Sequence, residues 1–113
     1  MKKTSADFIE DMLESIRKGI FFISGMTFSD FINDDKTQYA LIRAIEVIGE
    51  ASAKISDDIK SHYPEIPWKE MSGMRNKLVH DYFGVNSEVV WKTAVEDLPK
   101  LERQVEQIIL DLK

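Results

Sequence analysis

Apolar residues recur along most of the chain at steps of three and four, the period of a helix with one buried face. Phe8, Met12, Ile16, Ile20 and Ile23 form the first such stripe, preceded by Thr4 with Asp7 three residues later, a capping-box pattern. Gly25 is a natural stop for this helix, and Phe28 to Ile32 reads as a short helical turn capped by Ser29. Asp34 or Asp35 then caps the longest element, whose inner face runs Leu41, Ile45, Ile48, Ser52, Ile55. Ser56-Asp57-Asp58 offers a fresh cap for one more turn before Pro64. The segment Tyr63-Pro64-Glu65-Ile66-Pro67 divides two helical halves.

Pro67 suits the first position of the next helix, which is expected to carry Trp68, Met71, Met74 and Leu78 to about Tyr82 and to end at Gly84. Asn86 or Ser87 caps a helix with Val90, Ala94 and Val95. Asp97 followed by Pro99 opens the last one, striped by Leu101, Val105, Ile108 and Leu112. Short connections between helices of this length predict an all-α antiparallel bundle of four to six helices, formed by residues 1–113 as one domain.

Composition narrows the chemistry. The chain has 113 residues, no cysteine and two histidines, His62 and His80, so disulfides, thiolate catalysis and an imidazole-rich metal site are not expected. No metal and no cofactor is expected. The first residues lack the apolar core of a signal peptide, and no stretch reaches the roughly 18 apolar residues of a membrane span, so a cytoplasmic protein without membrane contact is expected. The net charge of −5 disfavours broad coating of a phosphate backbone, so any nucleic acid has to enter a local basic cleft.

The stretch richest in chemistry is Gly73 to Gly84, holding Arg75-Asn76-Lys77-Leu78-Val79-His80-Asp81-Tyr82. Arg75 and His80 are five residues apart, about 140° around a regular helix. They converge only if the helix loosens near His80 or if a second copy of the segment faces the first. The second possibility implies a dimeric site.

The pattern Arg75-x4-His80-x-Tyr82 resembles the motif of the HepT-like proteins, toxins of HepT–MntA toxin–antitoxin pairs within the HEPN superfamily. Ile48-Gly49-Glu50-Ala51, Tyr63-Pro64-Glu65-Ile66-Pro67-Trp68 and Asp97-Leu98-Pro99 are similar to the same family at matching places. The resemblance covers about Asp35 to Lys100. It implies a HEPN-like fold and a metal-independent endoribonuclease. In such an enzyme the RNA 2′-OH attacks the adjacent phosphorus, His80 acts as general base or acid, and Arg75 holds the phosphate and its developing charge.

Asn76 matches the polar residue after the family's arginine and is a supporting candidate together with Glu50. Lys69 and Lys77 are candidates for RNA phosphates. Tyr82 resembles the tyrosine that MntA-type nucleotidyltransferase antitoxins adenylylate. The implied partners are a second copy of the chain, RNA and such a nucleotidyltransferase. Plainer readings stand beside these: a His80 bonded to a backbone carbonyl, a Tyr82 that packs at a helix end, an Arg75–Glu50 pair that is purely structural, and Trp68, Trp91 and Met71/Met74 as packing residues. His62 reads as a solvated helix-end residue. A functional rival is a non-catalytic helical subunit that binds nucleotide or nucleic acid for a separate nucleotidyltransferase.

Overall fold

A computed structural model describes residues 2–80 and 87–113, with the backbone alone described for 75–80. The described residues are helical almost throughout and contain no strand. In chain order the elements are α1 (Ser5–Phe22), α2 (Phe28–Ile32), α3 (Asp35–Ala53), α4 (Asp57–His62), α5 (Trp68–His80), α6 (Ser87–Lys92), a π-helical turn (Thr93–Asp97) and α7 (Leu98–Leu112). Helices α6 and α7 are joined through the π turn into one helical run, so the bundle has six rods among the described residues. Helix α1 packs against both α3 and α7, while α3 also packs against α5.

Local chemistry explains the boundaries. The Thr4 hydroxyl accepts from the Asp7 N–H, and the Asp7 carboxylate accepts from the Thr4 N–H, closing the expected capping box. Helix α1 ends at Phe22 with Ile23 as its cap, and in the turn that follows Gly25 is left-handed, φ 78°, which a side chain would strain. Asp34 caps α3 and Ser56 caps α4, as their positions in the sequence suggest. The cap of α2 is Thr27 rather than Ser29. Thr27 lies three residues before Asp30, and the two form a second reciprocal capping box, which a cap at Ser29 cannot provide.

The core is one cluster of mostly aliphatic side chains, chiefly from α1, α3 and α7, with Phe31 of α2 fully buried in it. All five residues of the α3 stripe are buried. In α1 the buried face is rotated from the expected stripe. Ile9, Met12, Leu13 and Ile16 point inward, with Phe8 and Ile20 at the margin, because α1 is wedged between two helices rather than laid on one. Gly19 is also buried there, and a Cβ at that position would sit 2.8 Å from Leu98 Cδ1. Leu112 and Val95, expected in stripes, are half-exposed.

The junction of α6 and α7 departs most from expectation. Asp97 does not open a new helix: its φ/ψ are right-handed helical, −87°/−42°, and its side chain makes no cap bond. The chain continues instead through a π turn in which Leu98 N–H donates to the Thr93 carbonyl. Pro99 supplies the reason. It has no N–H for the usual bond and its ring would meet the carbonyl four residues back, and a wider turn relieves both.

Candidate functional site

Helix α5 carries Arg75 and His80 of the motif, and the segment that launches it is held from several sides. The Ile66 side chain is buried in the core. The Trp68 indole N–H donates to the Tyr63 carbonyl at 3.0 Å, the Ile66 N–H donates to the same carbonyl, and the Pro67 carbonyl accepts the first bond of the helix from Met71. Pro67 therefore stands one residue ahead of the first helical position that its rigid φ would suit. The Tyr63 hydroxyl donates to Asp111 of α7 at 2.6 Å, and Gln107 donates to the second oxygen of that carboxylate. The bond to Asp111 raises the Tyr63 phenol above its ordinary range. Tyr63 and Gln107 together hold the Asp111 carboxyl below its own.

Arg75, Asn76, Lys77 and His80 all fall in α5, whose backbone stays α-helical through His80. Their side chains, and Tyr82 with Gly84 and Asn86, lie outside the described residues. The unbroken helix keeps the Arg75 and His80 positions about 140° apart around one axis. Loosening of the helix before His80, one of the two ways the pair could converge within reach of one phosphate, does not occur in the described backbone. Lys69 is exposed on the first turn of α5. Glu50 is half-exposed on α3 and lies 3.6 Å from the Arg43 guanidinium, which also meets Glu46 at 3.6 Å. It borders a polar groove between α1 and α3 that includes Lys3, Lys18 and Lys54.

Outside the motif, His62 ends α4 in solvent with its Nδ1 2.8 Å from the Asp58 carbonyl. Trp91 packs on Phe31 and Phe28, ring centroids 5.2 and 6.1 Å away, and anchors α6 to α2. Among the described residues no cluster of three His, Cys, Asp or Glu could hold a metal ion, and no helix is long and apolar enough to cross a membrane.

A cleft of about 420 Å³ opens along α5 immediately before the motif. Its walls come from Ile45 and Ile48 of α3, Met71 and Met74 of α5, and Leu98 and Leu101 of α7, and the π turn forms one side. Met71 and Met74 thus do more than fill the core: both are half-buried and both face a cavity. The residues of this cleft are scattered over three helices, so no local pattern revealed it. Of the segment Asp97-Leu98-Pro99, Asp97 and Leu98 line it.

The family model described as ribonuclease HepT-like matches residues 9–108. A Thermococcus cleftensis protein named "Probable ribonuclease HepT" is 49% identical over 108 residues, covering 96% of this chain and 98% of its own length. A Methanocaldococcus jannaschii protein named "Putative RNase" is 42% identical over 112 residues, covering 99% and 93%. Another, from Caldanaerobacter subterraneus, is 37% identical over 107 residues, covering 95% and 96%. No solved structure matches the chain. With its motif helix, its all-helical architecture and these likenesses along nearly its whole length, this chain belongs to the HepT-like ribonuclease family.

Proposed function

We propose that the protein is a metal-independent endoribonuclease, the toxin of a toxin–antitoxin module, with residues 1–113 forming one HepT-like domain. The observation that carries this reading is the sequence Arg75-x4-His80-x-Tyr82, with Arg75 and His80 on α5, in a HepT-like chain whose relatives are named as ribonucleases. RNA brings its own nucleophile. Its 2′-oxygen forms the new bond to phosphorus while the bond to the 5′-oxygen breaks, leaving a 2′,3′-cyclic phosphate and a 5′-OH end. A proton leaves the 2′-OH and one arrives on the departing 5′-oxygen. His80, the only motif side chain that titrates near neutrality when unperturbed, moves one of them. Arg75 places a fixed planar charge against the non-bridging oxygens where negative charge builds up. Asn76 and Glu50 support the pair, and Lys69 and Lys77 hold neighbouring phosphates.

The continuous helix favours a site made between two copies, in which Arg75 of one chain meets His80 of the other; the working unit is a homodimer. Tyr82 is the switch: a nucleotidyltransferase antitoxin adds AMP there, and the new negative charge and bulk exclude RNA from the cleft. The site of action is the cytoplasm. Cleavage of RNA in excess EDTA tests the reading. Wild-type protein cleaves, and His80→Ala with unchanged helicity and oligomeric state does not. Undiminished cleavage by that variant rejects the assignment. The net charge of −5 favours a second reading, a non-catalytic nucleotide-binding subunit of a nucleotidyltransferase. Nucleotide binding without any RNA cleavage is its signature.

A further inference from the structure

The cleft beside the motif has a polar edge that its apolar walls do not require. Glu70 on α5, Asp97 at the π turn and Lys100 on α7 line it together with Gln104. Asp97 stands where a helix-capping carboxylate would, yet it caps nothing, which leaves its oxygens to the cleft. Asp97 and Lys100 are three residues apart on one helical run and therefore neighbours on its surface. Carboxylates outnumber cations along this edge, so a phosphate is repelled from it and a neutral, flat, donor-rich group is favoured. At about 420 Å³ the volume lies within the usual range of small-ligand sites, and the walls offer the soft thioethers of Met71 and Met74 to a ring face.

We propose that this cleft is the base-reading pocket of the nuclease and that it takes guanine. The inference rests on the endoribonuclease reading and adds the substrate preference. The Watson–Crick edge of guanine presents two adjacent N–H donors and one carbonyl. Asp97, with Glu70, accepts from the donors, and Lys100 donates to the O6 carbonyl. Adenine and cytosine each offer an acceptor nitrogen where the carboxylate needs a donor, and uracil offers one donor between two carbonyls. Single-stranded RNA can splay such a base out of its stack, as sequence-specific RNA readers require. Met74 on the α5 wall of the cleft directly precedes Arg75 in the chain, so the cleft and the motif share one helix.

Sequencing the cut sites in a random single-stranded RNA pool tests this. Wild-type protein should cut with guanosine enriched at one fixed position relative to the break. Replacing guanosine by inosine, which lacks the 2-amino donor, should slow those cuts, and Asp97→Asn should lower the preference roughly 5- to 100-fold. Sites without base preference, or a preference that Asp97→Asn and Lys100→Met both leave intact, overturn the proposal. A protein that cuts no RNA at all defeats the nuclease reading. The pocket is then decided by calorimetry with free nucleosides. Guanosine binding that exceeds inosine and adenosine and falls in Asp97→Asn upholds it, and equal or absent binding rejects it.

Discussion

The Tyr63 hydroxyl and the Asp111 carboxylate meet at 2.6 Å, 48 positions apart in sequence, and so tie the segment that launches α5 to the last turn of α7. The start of the motif helix is thereby tied to the last helix of the chain. The bond also has a defined pH window. Asp111 is held below its ordinary value, so its contribution is present above the unfolded carboxylate pKa and is lost as pH falls through the lowered one. Tyr63 is raised, so its contribution is complete below the unfolded phenol pKa and is lost as pH rises through the raised one. Tyr63→Phe should flatten both flanks of a plot of Tm against pH and lower Tm by about 2–4 °C between them. An unchanged profile means the pair is not formed in solution.

Gly19 permits the close approach of α1 to α7. Gly19→Val places a Cβ against Leu98 Cδ1, where the free Cβ distance is 2.8 Å, and adds two methyl groups in a packed interior. Urea denaturation should show a loss of roughly 1–3 kcal/mol. Leu98→Ala, costly alone, should cost less in the Gly19→Val background, because the smaller side chain vacates the disputed space.

Much of the fold was legible in the sequence because it is written locally. The stripe Leu41, Ile45, Ile48, Ser52, Ile55 along α3 and just past its end, and the capping box Thr4/Asp7, each draw on residues close together in the chain. The Ser29 cap, the Asp97 start and the inward direction of Phe8 differ from the structure for separate reasons. At Thr27 a better reciprocal partner lay two positions earlier. At Asp97 the chain was already helical, and Pro99 widened the turn instead of starting one. At Phe8 the neighbours on both sides of α1 decided which face is buried. The candidate site was legible as a motif, Arg75-x4-His80-x-Tyr82, on which its proposed chemistry rests. The cleft beside it was not, since its walls are contributed by α3, α5 and α7, and only folding brings those together.

The 140° between Arg75 and His80 leads to a subunit-mixing experiment. If each site takes its arginine from one chain and its histidine from the other, Arg75→Ala and His80→Ala proteins are each inactive. Equilibrated together in equal amounts, half their dimers are mixed, and each of those has one intact site. RNA cleavage should therefore return to about a quarter of the wild-type rate. No recovery, with exchange verified by native mass spectrometry, means the pair acts within one chain.

The most direct measurement is the chemistry of the cut ends on an RNA carrying a single 2′-deoxy nucleotide at an established cleavage point. The wild-type protein should leave 2′,3′-cyclic phosphate and 5′-OH ends on the all-ribose strand and spare the deoxy position, and His80→Ala should leave both strands whole. Cleavage at the deoxy position, or 5′-phosphate ends, would contradict attack by the 2′-oxygen and with it the roles given to His80 and Arg75.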